Sequence, residues 1–252
     1  MVCCMRILLI DLETKPHLSY VWGLWDQNIG THMLVTPGGM ICYVAKWLGE
    51  PQIFFDSVHH SKPLPMLRKL QKMLDEADVV VHFNGKKFDM PEINKEFVRN
   101  EIKPPSPYRQ IDLLRTCRSQ FRFPSNKLNY VCEALGLGSK VETGGFKLWT
   151  DCMAGDEKAW AKMKKYNTMD VKLLEKLYFR LLPWIRNHPN VGIAKHEETC
   201  VCPSCGSASL QRRGYSMTNA AKYQRWQCQS CGSWSRSSTN VGPKPNEKRM
   251  GI

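Results

Sequence analysis

Residues 7–10 read ILLI, and the next three positions are Asp11, Leu12 and Glu13. An unbroken apolar run of this length suits a central, buried strand, so the fold has to be built around it. Two carboxylates on alternate positions then follow at once. Either the strand ends there and the acids sit in water, or the two acids share a metal ion. The rest of the chain decides between these readings.

Further strands are expected at residues 20–29 (YVWGLWDQNI), 41–47 (ICYVAKW) and 52–58 (QIFFDSV), all rich in β-branched and aromatic residues. The LGEP turn at 48–51 separates the last two, giving an antiparallel group that begins with the acidic strand. Residues 65–77 carry Leu67, Leu70 and Leu74 at helical spacing, with Pro65 near the start. DVVVHFN (78–84) reads as a second buried strand and 89–100 as a helix with Asp89 near its N-terminus. A proline-rich loop (103–108) leads to a short strand and helix at 111–121. A capped helix ended by glycine is expected at 125–138. A long helix follows at 156–185, bent or ended by Pro183. This succession predicts an α/β fold, a mixed sheet flanked by helices.

The chain has 252 residues, enough for one full-sized domain and a small second module. The expected organisation is a main domain at 1–185, a polar linker at 186–199, a cysteine-bearing module at 200–236 and a disordered tail at 237–252. A formal charge of +13 favours a polyanionic partner, nucleic acid first among them. No apolar run approaches the roughly 20 residues needed to span a bilayer. The N-terminus lacks the form of a signal peptide. A cytoplasmic location, without membrane association, is the expectation.

Five of the eleven cysteines crowd into residues 200–231. The other six (Cys3, Cys4, Cys42, Cys117, Cys132, Cys152) are scattered and read as small core residues. CPSCG (202–206) and CQSCG (228–232) are two C-x2-C-G knuckles, each placing two thiolates on one tight turn. Cys202, Cys205, Cys228 and Cys231 therefore match a closed, structural Zn²⁺ site, and Cys200 is a spare. A redox pair or two disulfides suit a cytoplasmic chain less well. Between and after the knuckles, Arg212, Arg213, Tyr223, Arg225 and Trp226 interleave cations with aromatics, a composition suited to phosphate contact and base stacking. Packing within the module is the plain alternative for Tyr223 and Trp226. Docking to a protein partner, such as a replication or repair protein, is the alternative use of the whole module.

Two further acids stand out. Asp89 closes N-x-x-x-F-D with Asn84 and Phe88, and Asp170 lies one helical turn beyond Tyr166. D-x-E on a first strand, N-x-x-x-F-D and then Y-x-x-x-D on a late helix resemble the DEDD exonucleases of the DnaQ-like, ribonuclease-H-like superfamily, over roughly residues 6–185. The variant with His five residues before the last Asp is not matched, because Lys165 stands there. Tyr166 matches the DEDDy group, similar to the proofreading domains of DNA polymerases. The length excludes a polymerase, so the resemblance implies a stand-alone enzyme, of a kind often encoded by phages, acting in the host cytoplasm.

The resemblance implies two Mg²⁺ or Mn²⁺ ions relieving the mutual repulsion of four carboxylates. Asp11 would bridge both ions, Glu13 and Asp170 would serve the nucleophile side, Asp89 the leaving side, and Tyr166 would orient the attacking water. Asn84 and Phe88 would contact substrate near its 3′ end, in DNA or RNA. Three readings compete with this one. A non-catalytic nucleic-acid-binding protein has no need of the acids. A ribonuclease-H-type endonuclease takes its glutamate from a later helix. A restriction-type nuclease reading Glu13–Lys15 as E-x-K leaves Asp89 and Asp170 unexplained.

Overall fold

The computed structural model describes residues 5–140, 142–194 and 200–242. The apolar run becomes strand β1 (Ile7–Lys15). A two-residue strand β2 (Leu18–Ser19) pairs with β3 (Leu34–Thr36). Next come β4 (Gly39–Trp47), β5 (Ile53–Ser57), α1 (Pro63–Asp75), β6 (Val79–His82), α2 (Asp89–Arg99) and β7 (Arg109–Asp112). Helices α3 (Leu113–Gln120), α4 (Leu128–Ala134), α5 (Lys147–Met153) and α6 (Glu157–Leu181) follow. The expected mixed sheet flanked by helices is the observed architecture.

The main sheet has the order β5-β4-β1-β6-β7, which puts the acidic strand at its centre. β4 runs antiparallel to β1, while β6 and β7 run parallel to it in succession. Alternation along β1 sorts its side chains by face. Leu8, Ile10 and Leu12 pack with Met66, Leu67, Leu70 and Leu74 of α1 and with Met90, Ile93 and Phe97 of α2. Asp11 and Glu13 therefore point to the opposite face, where Ile41 and Cys42 meet Leu148 and Cys152 of α5 and Trp160 and Met163 of α6.

The pairing of β1 with β4 is interrupted where it matters. Glu13 faces Cys42 and Thr14 faces Met40, so Ile41 is an extra, unpaired residue in β4. A bulge of this kind bends and twists the strand locally. Here it falls beside the second acid.

Two expectations for the main domain fail. Residues 20–29 form no strand, and Tyr20, Trp22, Leu24 and Trp25 are each at least 80 % exposed. β-branched and aromatic residues favour strands only where a pleated surface is half buried. The helix beginning at Leu128 also lacks the expected side-chain cap, because Lys127 occupies the N-cap position. Its glycine stop is present: Gly136 has φ of 67°, a conformation that costs other residues.

The chain divides into two compact units, one spanning Arg6–Tyr178 and the other formed from Phe179 onward. In the second, α6 gives way to a 3-10 turn at Leu182–Trp184 that holds Pro183, and a short helix α7 (Val191–Ala194) falls within the expected linker. Strands β8 (Leu210–Met217), β9 (Lys222–Cys228) and β10 (Trp234–Asn240) make a three-stranded antiparallel sheet. β10 corrects the expectation of a disordered tail from residue 237. Asn240 pairs with Tyr223, and its side-chain oxygen accepts from the amides of Lys222 and Gly242. Residues 243–252 of that expected tail lie outside the described residues, as do Cys3 and Cys4. Cys42, Cys117, Cys132 and Cys152 are buried, as expected of small core residues.

Candidate active site and cysteine cluster

The buried face of α6 is apolar at Trp160 and Met163 and then turns polar at Asn167 and Asp170, which are 0 % and 2 % exposed. Polar groups on a core face need partners, and these meet the acids of β1. Asn167 Nδ2 donates to Asp11 Oδ2 at 2.5 Å. Carboxylate oxygens of Asp11, Glu13 and Asp170 all lie within 4.8 Å of one another. Asp170, 157 or more positions further along the chain, thus meets Asp11 and Glu13 where β1 faces α6, and the three acids form a group able to hold a metal ion.

Asp89 stands beside this group without joining it. It is the first residue of α2, buried to 5 % exposure, and its carboxylate accepts a hydrogen bond from the Leu12 amide between the two acids of β1. Gly85 makes the approach feasible: a Cβ there would meet Asp89 Oδ2 at 2.8 Å and His82 Cγ at 2.5 Å. His82 is fully buried beneath this turn, accepting from the Gly85 amide and contacting Gln110 Oε1 at 3.2 Å. Asn84 adopts a positive φ of 67°, and its amide donates to Asp112. Phe88 is 52 % exposed, an aromatic surface directly before Asp89.

Burial pushes all four carboxylates up from their ordinary range, and repulsion within the group adds to it at Asp11 and Glu13. Asp11 is held well above it by burial first, then by Asp89, Asp170 and Glu13. Glu13 is pushed up to about 7 by burial and by Asp170, against a hydrogen bond from Trp149. Burial brings Asp89 to about 7 and also raises Asp170. The protein therefore holds its acids where ionising them is costly without a cation.

One cation is built in, and the sequence motifs do not contain it. Lys140 Nζ lies 2.5 Å from Asp170 Oδ2 and 3.3 Å from the Tyr166 hydroxyl. Burial opposes its charge, but Asp170 more than compensates and raises its pKa. Tyr166, four residues before Asp170, is raised as well, by burial and by that same acid, so it is a hydrogen-bonding group and not a base at neutral pH.

The donor set fits divalent cations. It is all oxygen, which suits hard ions such as Mg²⁺ or Mn²⁺. Asp170 Oδ1 is buried with no hydrogen-bond partner among the described residues, an acceptor left open on one of the three acids. Asp11, Glu13 and Asp170 are the residues able to hold an ion, and Asp89 lies beside them outside that group.

Two outcomes follow from this electrostatics. Glu13 is favoured as the neutral acid in the folded state, so wild-type stability is lost as pH rises from about 4.5 toward 7. In divalent-free buffer, Glu13→Gln should leave the free energy of unfolding unchanged near pH 4.5. At pH 8 it should raise it by on the order of 1–3 kcal/mol. Urea unfolding at both pH values measures this, and equal effects at the two would contradict it. Lys140→Met removes a charge that competes with any bound cation. Mn²⁺ affinity, followed by calorimetry, should therefore rise severalfold, whereas weaker binding would mean that Lys140 organises the ligands.

In the second unit the four knuckle cysteines converge as expected. Their sulfurs lie within 4.8 Å of one another, with Cys202–Cys231 and Cys205–Cys228 Sγ separations of 3.7 Å. Gly206 and Gly232 adopt φ of 74° and 80°, and each amide donates back to the first cysteine of its knuckle. Burial works against the Cys228 thiolate, yet the Cys231 and Ser230 amides and neighbouring thiols bring it down to about 7. A tetrahedral thiolate set of this kind fits zinc. Cys200 is exposed and outside the group.

The small sheet carries cation–aromatic pairs on both faces. Arg225 lies over Trp234 at 4.9 Å and Arg236 over Tyr223 at 3.9 Å on one face. Arg212 lies over Trp226 at 5.2 Å and Lys222 over Tyr215 at 3.9 Å on the other. Arg213 contributes through its backbone, its carbonyl accepting from Arg225 Nε. Tyr223 and Trp226 are thus partly engaged within the module, and Trp234, Arg236, Lys222 and Tyr215 complete a pattern that extends beyond the expected residues.

A family model describing the RNase H superfamily matches residues 44–182. The matched span begins after Asp11 and Glu13 and includes Asp89, Tyr166 and Asp170. No curated protein is significantly similar in sequence. Among solved structures, the fold is similar to the family B DNA polymerase from the hyperthermophilic archaeon Pyrobaculum calidifontis. The TM-score is 0.54 at 15 % sequence identity, and the likeness covers 71 % of this chain. It spans 25 % of the polymerase chain. Among the described residues, no helix is long and apolar enough to cross a membrane.

Proposed function

The chain belongs to the RNase H superfamily, and we propose that within it this protein is a 3′–5′ exonuclease of the DEDDy type, releasing nucleotides from DNA or RNA. The observation that carries the proposal is the convergence of Asp11, Glu13 and Asp170, with one buried Asp170 oxygen left without a hydrogen-bond partner among the described residues. A protein that only bound polynucleotide would gain nothing from burying acids against a phosphate backbone. The likeness to part of a DNA polymerase supports the same reading, since the three motifs resemble polymerase proofreading domains.

Bound divalent cations would supply water activation and charge stabilisation at the leaving 3′ oxygen. Asp11, Glu13 and Asp170 hold the cluster on the water side, and Asp89 faces the leaving side. Tyr166, donating through its hydroxyl, orients the attacking water. Asn167 keeps Asp11 in place through its amide. Lys140 offsets part of the acids' charge and holds Tyr166 through the same ammonium. Asn84 and Phe88, at the turn before Asp89, contact the terminal nucleotides.

The four cysteines hold a structural zinc in a ribbon at residues 200–236, with β10 continuing beyond it. Its stacked arginines and aromatics bind polynucleotide, and a protein partner remains the alternative occupant. A cytoplasmic site of action, expected from the sequence, and a phage origin, implied by the resemblance, are part of the same proposal. The experiment that tests the reaction class is product analysis after incubation with an oligonucleotide and Mg²⁺. Nucleoside 5′-monophosphates are expected. Short internal fragments would favour an endonuclease.

A further inference from the structure

The carboxyl ends of the parallel strands β1, β6 and β7 lie along one edge of the sheet. Crevices outside such strand ends are where open α/β sheets bind ligands. The first end carries Asp11 and Glu13, and the turn after the second leads to Asp89. Beside the third is a separate cavity of about 670 Å³, formed where the turn after β6 meets α3. Four of its lining side chains are cations: Lys86 and Lys87 from the turn, and Arg115 and Arg118 from α3. The two arginines are three positions apart and so share a helical face.

These charges are not spent within the protein. None of the four makes an ion pair among the described residues. Lys95, Lys147 and Arg6, by contrast, each pair with a nearby acid. The one acid in the cavity wall, Asp112, is 8 % exposed, and its Oδ1 accepts from the amides of Asn84 and Leu114. Four exposed cations against one buried, amide-bound carboxylate make a concave site for a polyanion. Nothing in the three sequence motifs contains it, because the two pairs lie far apart in sequence.

We propose that this cavity binds the phosphodiester backbone of the substrate strand upstream of the cleaved bond. The inference rests on the exonuclease reading, which supplies a strand whose 3′ end reaches the acids. Arg115 and Arg118, on α3 after β7, grip the substrate strand two β-strands along the same sheet edge from Asp11 and Glu13. Strand grip and chemistry are then carried by different residues.

The test uses the full chain with R115A/R118A. Binding of 5′-fluorescein-labelled dT12 is followed by anisotropy in Ca²⁺ across a salt series. In parallel, hydrolysis of the p-nitrophenyl ester of thymidine 5′-monophosphate is measured in Mn²⁺, because this small substrate has no upstream phosphates. The proposal predicts about tenfold weaker dT12 binding at low salt. It also predicts a plot of log affinity against log salt shallower by about 1.4, at about 0.7 per lost contact. Hydrolysis of the small ester should be unchanged. Unaltered dT12 affinity and salt slope would overturn the proposal. So would equal losses in binding and ester hydrolysis, since the arginines would then act on the acid site itself. Absence of ester hydrolysis in the wild type would instead count against the exonuclease reading, with the binding arm still deciding the cavity.

Discussion

Asp170→Asn is expected to lower phosphodiester hydrolysis by on the order of 10³-fold, the scale of removing one electrostatic contributor to a preorganised site. The substitution keeps the size of a side chain that is 2 % exposed and removes one of three charges able to hold a cation. The fold should survive. Ionised Asp170 repels Asp11 and Glu13, so its replacement relieves strain within the metal-free cluster. The cost is the ion pair with Lys140, whose side chain is 26 % exposed and can turn toward water. Circular dichroism and thermal melting should therefore report a folded variant. Wild-type cleavage by this variant would remove the carboxylate cluster from the mechanism.

Zinc removal should have the second large effect, confined to the ribbon. Its sheet places few residues in a core: among β8, β9 and β10, only Cys228 is fully buried. A module this poor in burial depends on its metal, and structural zinc contributes an apparent 10–16 kcal/mol of folding energy in small fingers at pH 7. Cys228→Ser removes the thiol whose surroundings most favour the anion. Native mass spectrometry should show one zinc lost. Proteolysis should cut the chain after residue 186 while leaving a resistant fragment containing Arg6–Tyr178. Full zinc retention by the variant would rule out the four-cysteine site.

The parts of this molecule legible in its sequence are those governed by local periodicity or local geometry. The apolar run of β1, the leucines of α1 and the glycines of the two knuckles follow from strand pattern, helical spacing and positive φ. The three acidic motifs were readable because each is contiguous. What escaped notice depends on contacts distant in sequence. Lys140 reaches Asp170 across 30 positions and Asn167 reaches Asp11 across 156. Neither belongs to a motif, although Asn167 has a faint signal as a polar residue continuing the buried face of α6.

The aromatic segment at residues 20–29 misled for the opposite reason. Its composition suits a strand, yet composition cannot supply the neighbouring strand that would bury one face. Trp22 is fully exposed as a result. Charge followed the same rule. The total of +13 suggested a polyanion, but only folding brings Lys86 and Lys87 to Arg115 and Arg118.

The most direct test of the central claim is a gel time course on 5′-labelled single-stranded DNA and RNA with Mg²⁺ or Mn²⁺, run beside Asp170→Asn. The account predicts a ladder that shortens from the 3′ end, requires the metal and is absent in the variant. Intact substrate together with retained binding would contradict it and leave a nucleic-acid-binding protein with an unexplained buried acid cluster.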